Sequence, residues 1–456
     1  MIIMKFGGTS VKNAAAFKKA ASIIKQHIKQ HPLIVLSAMA GVTNILETSV
    51  QNAVNQLKDD VDSALDNLKS IHKETINELF ESIPGKRGFL HKIVSDEMEK
   101  LSALLSATGT IKIVSADLSH AILSVGEIIS SSIMASLLQT MDIAAQFVDA
   151  RAIMITTNIN NEIVPVPEII EKEAQKQLIP IMKKGKTVVT QGFIGATSEG
   201  APTTLGRNGS DFSASLLGAA LKVEEIQIWT DVDGILTADP TIIKSARPLE
   251  FMTFDEACEL AYFGARVLYP SAIQPALEKD IPVRVLNSSQ PHSSGTLIVN
   301  HAQYRHKSLV KSIAYKEGIT LLTVKSTQLL LSTKLLSELF NFLTKRGMRV
   351  YAVSKSAIKL SLTVENNDKL ENILQEFRFA GKLKIERNKA IVSIVGENMK
   401  RNPDISWEVI KMLKEARVNI ELISQFAGQI SFMFIIDDRD IDKTVKLLHE
   451  KYIERT

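Results

Sequence analysis

"MIIMKFGGTSVKNAAAFKKAASIIKQHI", Met1 to Ile28, reads as strand, glycine turn and helix. Met1 to Met4 are apolar and β-leaning, and the run from Lys12 onward is helix-like. Between them stand Lys5, Gly7 and Gly8. Glycines let a backbone approach a ligand closely, and the free N–H groups of the helix start suit an anion. The phosphate-loop consensus does not apply, because it places its lysine after the glycines. An ordinary βα turn carrying a surface lysine has the same pattern, so the rest of the chain must decide.

Further along, the alternation continues. Strand-like runs stand at Leu33 to Ser37, Ala144 to Ala150, Thr187 to Phe193, Ile226 to Val232 and Val283 to Ser288, with helical stretches between them. Near-continuous apolar strands alternating with helices predict an α/β domain whose parallel-rich sheet is covered on both faces. From Gln51 to Thr110 the pattern becomes helical only, with Leu57, Val61, Leu65 and Leu68 at helical spacing. "SIPGKRGF" interrupts this run and "LHKIVSDEMEKLSALL" resumes it, which predicts a helical insertion over about 51–110. The turn formers of "SSQPHSSGTLI", Ser288 to Ile298, close this first domain near residue 300.

The last third contains a repeat. Arg349 to Val364 aligns with Asn419 to Phe434, so Val350 pairs with Ile420, Ser354 with Ser424 and Leu362 with Phe432. The preceding helices match at the same offset, Phe340 over Ile410 and Leu343 over Leu413. Each copy reads as strand, helix, hairpin, helix, the ferredoxin-like βαββαβ plan. The period is too long for a solenoid and predicts two copies of one small domain.

Bulk properties exclude several classes. With 456 residues the chain exceeds one core. A net charge of +4 without a dense Lys/Arg block gives no expectation of nucleic acid as a partner. No apolar run is read as approaching the roughly 20 residues of a membrane helix, and no leader is read at the start, so a cytoplasmic protein is expected. The single cysteine, Cys258, rules out an intrachain disulfide framework and reads as a structural thiol. His27, His31, His72 and His91 are read on polar helical faces, and no spacing suggests a protein metal centre.

Five stretches that follow β-like runs carry the chemistry: "KFGGTSV", "LSAMAGVTN", "SVGEIIS", "GFIGATSEGAPTTLGRNGSDFSA" and "WTDVDGILTADP". Loops at strand ends are where an open α/β sheet forms its ligand crevice. A sixth, "FGARVLYP", lies at a helix end. Together and in this order they resemble the aspartate kinases of the amino-acid-kinase superfamily, over essentially the whole chain. The resemblance implies the amino-acid-kinase fold, a parallel-rich central sheet between helical layers, followed by two ferredoxin-like ACT domains. It assigns 1–300 to catalysis, 316–386 to the first ACT copy, and 308–315 with 387–456 to the second, since in relatives the first copy is inserted within the second.

The implied reaction moves the γ-phosphoryl group of ATP to the β-carboxylate of L-aspartate, the first step towards lysine, threonine and methionine. A carboxylate is already ionised at neutral pH, so the task is charge neutralisation and positioning rather than base catalysis. Lys5 would supply a cation at the transferring phosphate, with Gly7 and Gly8 beside it and Asp211 as its catalytic companion. An acid at Asp211 also fits a plain helix cap. Arg207 would read the α-carboxylate and Glu127 the α-ammonium. Without the family, Glu127 reads first as a helix-start acid. The resemblance adds Ser37, Thr43, Phe193 and Ser210 on the aspartate side, and Thr230, Asp231 and Arg266 on the ATP side. Leu236 stands where the family often has tyrosine, Arg266 where lysine is common, and Asn208 where glycine is usual. Mg²⁺ would accompany ATP without an assigned protein ligand.

Regulation is implied through the ACT pair. A homodimer is expected, with tetramers left open, and an inhibitory amino acid, above all lysine, at Ser332, Leu335, Leu336, Val350 and Ser356 of the first copy. Tyr351 and Lys334 depart from the lysine-sensitive pattern. Two other readings are a catalytically inactive amino-acid sensor and another member of the superfamily. Retention of Lys5, Glu127, Arg207, Asp211 and Asp231 together argues against the sensor. A fused homoserine dehydrogenase is not expected after the second repeat.

Overall fold

A computed structural model gives the structure, and it describes all residues except 161, 265–268, 301–307, 326–332, 357, 368–369, 371–381, 403, 425–429 and 456. The chain divides into two compact units. The first contains the described residues within 1–235, 250–254 and 269–302. The second contains those within 236–249, 255–268 and 303–456.

The first unit is built on strands β1 (Ile2–Phe6), β2 (Leu33–Leu36), β3 (Ala145–Phe147), β4 (Ile155–Ile159), β5 (Glu162–Pro165), β6 (Thr187–Gln191), β7 (Ile194–Thr197), β8 (Pro202–Thr204), β9 (Glu225–Thr230), β10 (Phe251–Thr253), β11 (Val283–Asn287) and β12 (Thr296–Val299). The main sheet runs β10-β12-β11-β9-β1-β2-β6-β3, and every neighbouring pair is parallel except β11 with β12. β1 and β2 are buried throughout, as their continuous apolar sequences require of a sheet covered on both faces. β1 is central. From it the chain builds outward to β2 and β6 on one side and to β9 and β11 on the other. Loops leaving β1 and β9 therefore diverge at their carboxyl ends and open a crevice there.

A second sheet, β5-β4-β7-β8, comes from stretches that carry no clear strand signal. β4 and β5 are mostly exposed or half-buried, and β4 is rich in Thr and Asn, so the pairing of β4 with β7 and of β5 with β4 makes them strands.

The helical insertion consists of Lys58–Leu79 and Pro84–Ile111, following the helix Val42–Val54. Pro84 is tolerated because the first turn of a helix has no N–H bond to lose. His72 corrects the surface reading. It shares the buried face of Lys58–Leu79 with Leu68, Thr75 and Ile76, at helical spacing, and its Nδ1 lies 2.6 Å from Leu68 O. Burial lowers its pKa, so it is carried as a neutral core residue. The Ala116–Thr140 segment also departs from expectation. It is 25 residues long and contains an 18-residue window of mean hydropathy 1.7, so it matches a membrane helix in length and composition. Its most apolar window is 89% buried in the protein core, and it divides at Ser124 into Ala116–Leu123 and Val125–Thr140.

The second unit holds a six-stranded antiparallel sheet, β14-β15-β13-β16-β18-β17, made of β13 (Ser312–Lys325), β14 (Val350–Lys355), β15 (Lys359–Glu365), β16 (Lys382–Val395), β17 (Leu422–Ser424) and β18 (Ser431–Asp437). Helix Thr333–Lys345 precedes β14 and β15 as helix Asp404–Glu415 precedes β17 and β18, so the repeat in the sequence is a repeat in structure. Both long strands serve both copies. Ser312–Lys316 pairs with Ile391–Val395, and Leu321–Lys325 pairs with Lys382–Glu386. The register shifts between them, where Gly318 takes φ +70° and Asn388 φ +57°. Each copy has its own apolar core, with Leu322, Leu339 and Leu362 in the first and Val392, Val409 and Phe434 in the second.

The same unit buries an ion pair. Lys311 Nζ lies 2.7 Å from Glu256 Oε2, and both side chains are almost wholly excluded from solvent. The Glu397 N–H donates to the other carboxylate oxygen at 2.7 Å. Glu256 stands on the helix Phe254–Tyr262, and nearby Ser431 Oγ donates to Glu259 Oε2 at 2.8 Å.

Candidate functional site

Lys5 is the fourth residue of β1, and its side chain ends beside Gly7 at the crevice. Its Nζ lies 2.6 Å from Asp211 Oδ1, with both side chains about nine-tenths buried. That oxygen accepts no well-aligned hydrogen bond, so charge and proximity rather than direction hold the pair. Asp211 opens the helix Gly209–Leu221, which has no side-chain cap. Its partner therefore comes from β1 and not from the helix's own N–H groups.

The two glycines differ in what they do. The Gly7 N–H is committed to Trp229 O at 3.0 Å. A side chain at Gly8 would place Cβ 2.9 Å from Ala38 O, so that glycine lets the loop after β1 touch the loop after β2. Gly8 also opens a short 3-10 turn, Gly8–Val11, whose first N–H groups have no acceptor within the turn. These are the donors the motif offers. Ser10 Oγ donates to Ser288 Oγ at 2.8 Å, and Ser288 Oγ donates to Thr230 O at 3.0 Å, which ties the ends of β1, β9 and β11 together.

A cleft of about 450 Å³ is lined by Lys5, Ser37, Thr43, Glu127, Phe193, Arg207, Ser210 and Asp211, so one cavity gathers the catalytic and aspartate-side residues read from the sequence. Glu47, Leu123, Thr204, Gly206, Asn208 and Gly209 complete it. Ser37 Oγ donates to Ser210 Oγ at 3.0 Å across the sheet end, and Ser130 Oγ donates to Ser37 O at 2.8 Å. Asn208 does adopt the left-handed conformation, φ +56°, in place of the usual glycine. Phe193 also has positive φ, +69°, an outlier for an aromatic residue, held by its N–H donating to Ser213 Oγ at 3.0 Å. Arg207 is exposed and has no ion-pair partner among the described residues.

Glu127 is buried in the first turn of Val125–Thr140. Desolvation pushes its carboxyl up to about 8, and bonds from the Ala38 and Glu127 N–H groups offset only part of this. Its Oε2 has no hydrogen-bond partner. A buried, unpartnered carboxylate oxygen facing a cleft is a socket for a donor. Gly126 makes that depth attainable, because any Cβ there would strike Ala38 Cβ at 2.7 Å.

Thr230 and Asp231 do not line this cleft. Asp231 is exposed and lines a second recess of about 310 Å³ with Thr9, Ser10, Lys12, Asn13, Lys19, Ser288 and Ser289. Lys19 Nζ donates to Ser289 O at 2.7 Å and Asn287 Nδ2 donates to Asp233 Oδ1 at 2.6 Å, fixing its rim. Lys12, Lys19 and Glu47 were missed in the sequence because each looks like an ordinary surface charge on a helix. Arg266 and Ser332 lie outside the described residues, as does the side chain of Leu335. Leu336 and Val350 pack on the core of the first ACT copy, and Ser356 stands at the β14–β15 turn, where its N–H donates to Lys359 O at 2.8 Å. Cys258 is half-buried with its thiol pushed up to about 12, which suits a structural residue. Among the described residues no His/Cys/Asp/Glu group could form a metal cage.

Comparison with known proteins gives concordant matches. The amino acid kinase family model matches residues 1–287, and an ACT domain model matches residues 392–452. Aspartokinase 1, chloroplastic, of Arabidopsis thaliana is 34% identical over 470 residues, covering 99% of this chain and 80% of its own length. The crystal structure of E. coli aspartokinase III in complex with aspartate and ADP is similar with a TM-score of 0.82 and 31% identity, covering 99% of both chains. That of E. coli aspartokinase III with lysine and aspartate gives a TM-score of 0.86 and 30% identity over the same shares.

Proposed function

We propose that this chain, which belongs to the amino acid kinase family and within it to the aspartokinases, transfers the γ-phosphoryl group of ATP to the β-carboxylate of L-aspartate. The observation that carries this reading is the cleft's assortment of charges. A buried carboxyl group with one oxygen unpartnered, a guanidinium without an ion pair among the described residues and a buried ammonium line one cavity. These match the α-ammonium, the α-carboxylate and the transferring phosphate of such a reaction.

In this mechanism a β-carboxylate oxygen attacks the γ-phosphorus, and the bond to the β–γ bridging oxygen of ATP breaks. The products are 4-phospho-L-aspartate and ADP, and no proton need move. Arg207 and Glu127 orient the amino acid, and Ser37, Thr43, Phe193 and Ser210 bound its carboxylate end. Lys5, held by Asp211, offsets charge as the two anions meet, with Gly8 N–H beside it. Thr230, Asp231 and Arg266 are assigned to the nucleotide. Mg²⁺ would come with ATP and neutralise phosphate charge. With no acidic cage among the described residues, phosphates and water are its expected ligands.

Glu127 gives a test that separates binding from folding. With its pKa raised, the folded state holds a proton between about 4.5 and about 8 that the unfolded state releases. The stability this contributes is full below 4.5 and is lost as pH rises through about 8. Glu127→Gln should therefore match the wild type in Tm near pH 5 and exceed it at pH 9. Both Glu127→Gln and Arg207→Ala should raise the aspartate KM by about tenfold or more, losing charge-assisted bonds worth ~1.5–3 kcal/mol each, with less effect on the ATP KM. Normal aspartate binding by both variants would overturn the assignment.

We also propose feedback regulation by an end-product amino acid through a homodimer of ACT domains. The edge strands β14 and β17 expose Val353 and Ile423, equivalent positions of the two copies, as a contact would require. Lysine, bound by E. coli aspartokinase III, is the first effector to test. Tyr351, at the position where lysine-sensitive relatives tend to carry an acid, donates its hydroxyl to Glu365, and Lys316 pairs with Glu365 at 2.9 Å and lies 5.1 Å over the Tyr351 ring. A resident cation already uses that acid, so lysine should bind more weakly than it would to a free carboxylate. Calorimetric titration of lysine, threonine and methionine with parallel activity measurements checks this. Absence of binding by all three would end the regulatory reading and leave the kinase reading standing.

A further inference from the structure

We infer that His120 is a positioning residue for the amino-acid half of the cleft, acting through Thr204; the inference rests on the aspartate kinase reading above. His120 stands on the short helix Ala116–Leu123, which Ser115 caps by accepting the Leu118 N–H at 3.2 Å. Its Nδ1 lies 2.8 Å from Thr204 Oγ1, a contact between residues 84 apart in sequence. Thr204 is 7% exposed, ends β8 and lines the cleft. Leu123, three residues beyond His120 on the same helix, lines it too.

Only Leu205 and Gly206 separate Thr204 from Arg207. In between, Gly206 takes φ +72°, and Asn208 follows with φ +56°. The loop is held by the Leu205 N–H donating to Phe193 O at 2.8 Å and by the Gly209 N–H donating to Gly206 O at 3.0 Å. Neither bond fixes the Thr204 side chain. The hydroxyl is fixed by His120, whose pKa burial lowers against the opposing pull of Asp117. A hydroxyl so held cannot turn into the cleft to compete for the ligand's carboxylate or for Glu127. His120 therefore sets both the start of the Arg207 loop and the polarity of the wall facing the substrate. No motif marks it, since a histidine in "SHAIL" reads as a helix-surface residue.

The test uses the full chain. His120→Ala should raise the aspartate KM about fivefold, the cost of one neutral hydrogen bond, with kcat and the ATP KM changed less than about twofold. His120→Asn, whose amide can stand at the Nδ1 position, should restore the KM. Thr204→Val should match His120→Ala, and the double variant should be no worse than either, as expected for two halves of one interaction. An unchanged aspartate KM in His120→Ala, additive effects in the double variant, or a fall in Tm and kcat without a KM change would overturn the inference. Calorimetric titration of aspartate reads the same fivefold change without turnover. Wild-type protein that binds no aspartate overturns both readings, whereas normal wild-type turnover with wild-type binding by His120→Ala overturns only this one.

Discussion

Lys5→Met should lower kcat by about 10²–10³-fold, the usual cost of removing one preorganised group that stabilises transition-state charge. The structure adds a qualification that the sequence did not provide. Lys5 is the cation 2.6 Å from a buried Asp211, so its loss takes that counter-charge from a carboxylate about nine-tenths buried. The single variant should therefore also lose stability. Lys5→Met combined with Asp211→Asn should recover much of the lost Tm and none of the lost activity. Parallel thermal denaturation and turnover assays distinguish these effects. Near-wild-type kcat in Lys5→Met would reduce the lysine to a structural partner of Asp211 and remove it from the mechanism.

Glu256→Gln should destabilise the protein by about 3–5 kcal/mol, as should Lys311→Met. In each case the remaining buried charge loses its partner at 2.7 Å, and removing either partner of a buried pair is strongly destabilising. Replacing both residues together by apolar ones of similar volume should cost less than either single change. Urea unfolding of the three variants measures this. Two singles within 1 kcal/mol of wild type would mean that water reaches the pair and that its apparent burial carries no energetic weight.

The central sheet was legible because β1, β2, β6, β9 and β11 are short apolar runs whose composition alone demands burial on both faces. The cleft was legible for a different reason. Glu127 and Asp211, acids in the first turns of apolar helices, and Arg207, a cation inside a glycine turn, are conspicuous in the sequence, although the stretch carrying Glu127 follows the helix Ala116–Leu123 and not the expected strand. Features set by tertiary partners were not legible. β4 is polar and becomes a strand through pairing with β7, and β5 joins the sheet through β4. His72 looked like a surface residue because its helix is rich in charge, yet its i, i+4 partners put it inside. The Ala116–Thr140 segment is apolar enough to mislead in the other direction, because the most enclosed helix of a core and a lipid-facing helix have the same composition. Gly7 and Gly8 were read together as letting N–H groups approach a ligand, whereas Gly7 spends its N–H on Trp229 and Gly8 makes room for the neighbouring loop while opening the 3-10 turn.

β13 and β16, each passing through both copies of the repeat, have a consequence for how such proteins can be cut and recombined. Sequence similarity suggests two modules of about equal size, and a boundary near residue 386 looks like a natural seam. A break there would fall inside β16, between the part that pairs with Leu321–Lys325 and the part that pairs with Ser312–Lys316. Neither fragment would keep a complete sheet, and each would expose a frayed edge open to pairing with other chains. The two copies must therefore be exchanged, inherited or deleted together. A hybrid that takes its effector specificity from a relative should transplant the whole of 312–456, because a graft of the first copy alone inherits two severed strands.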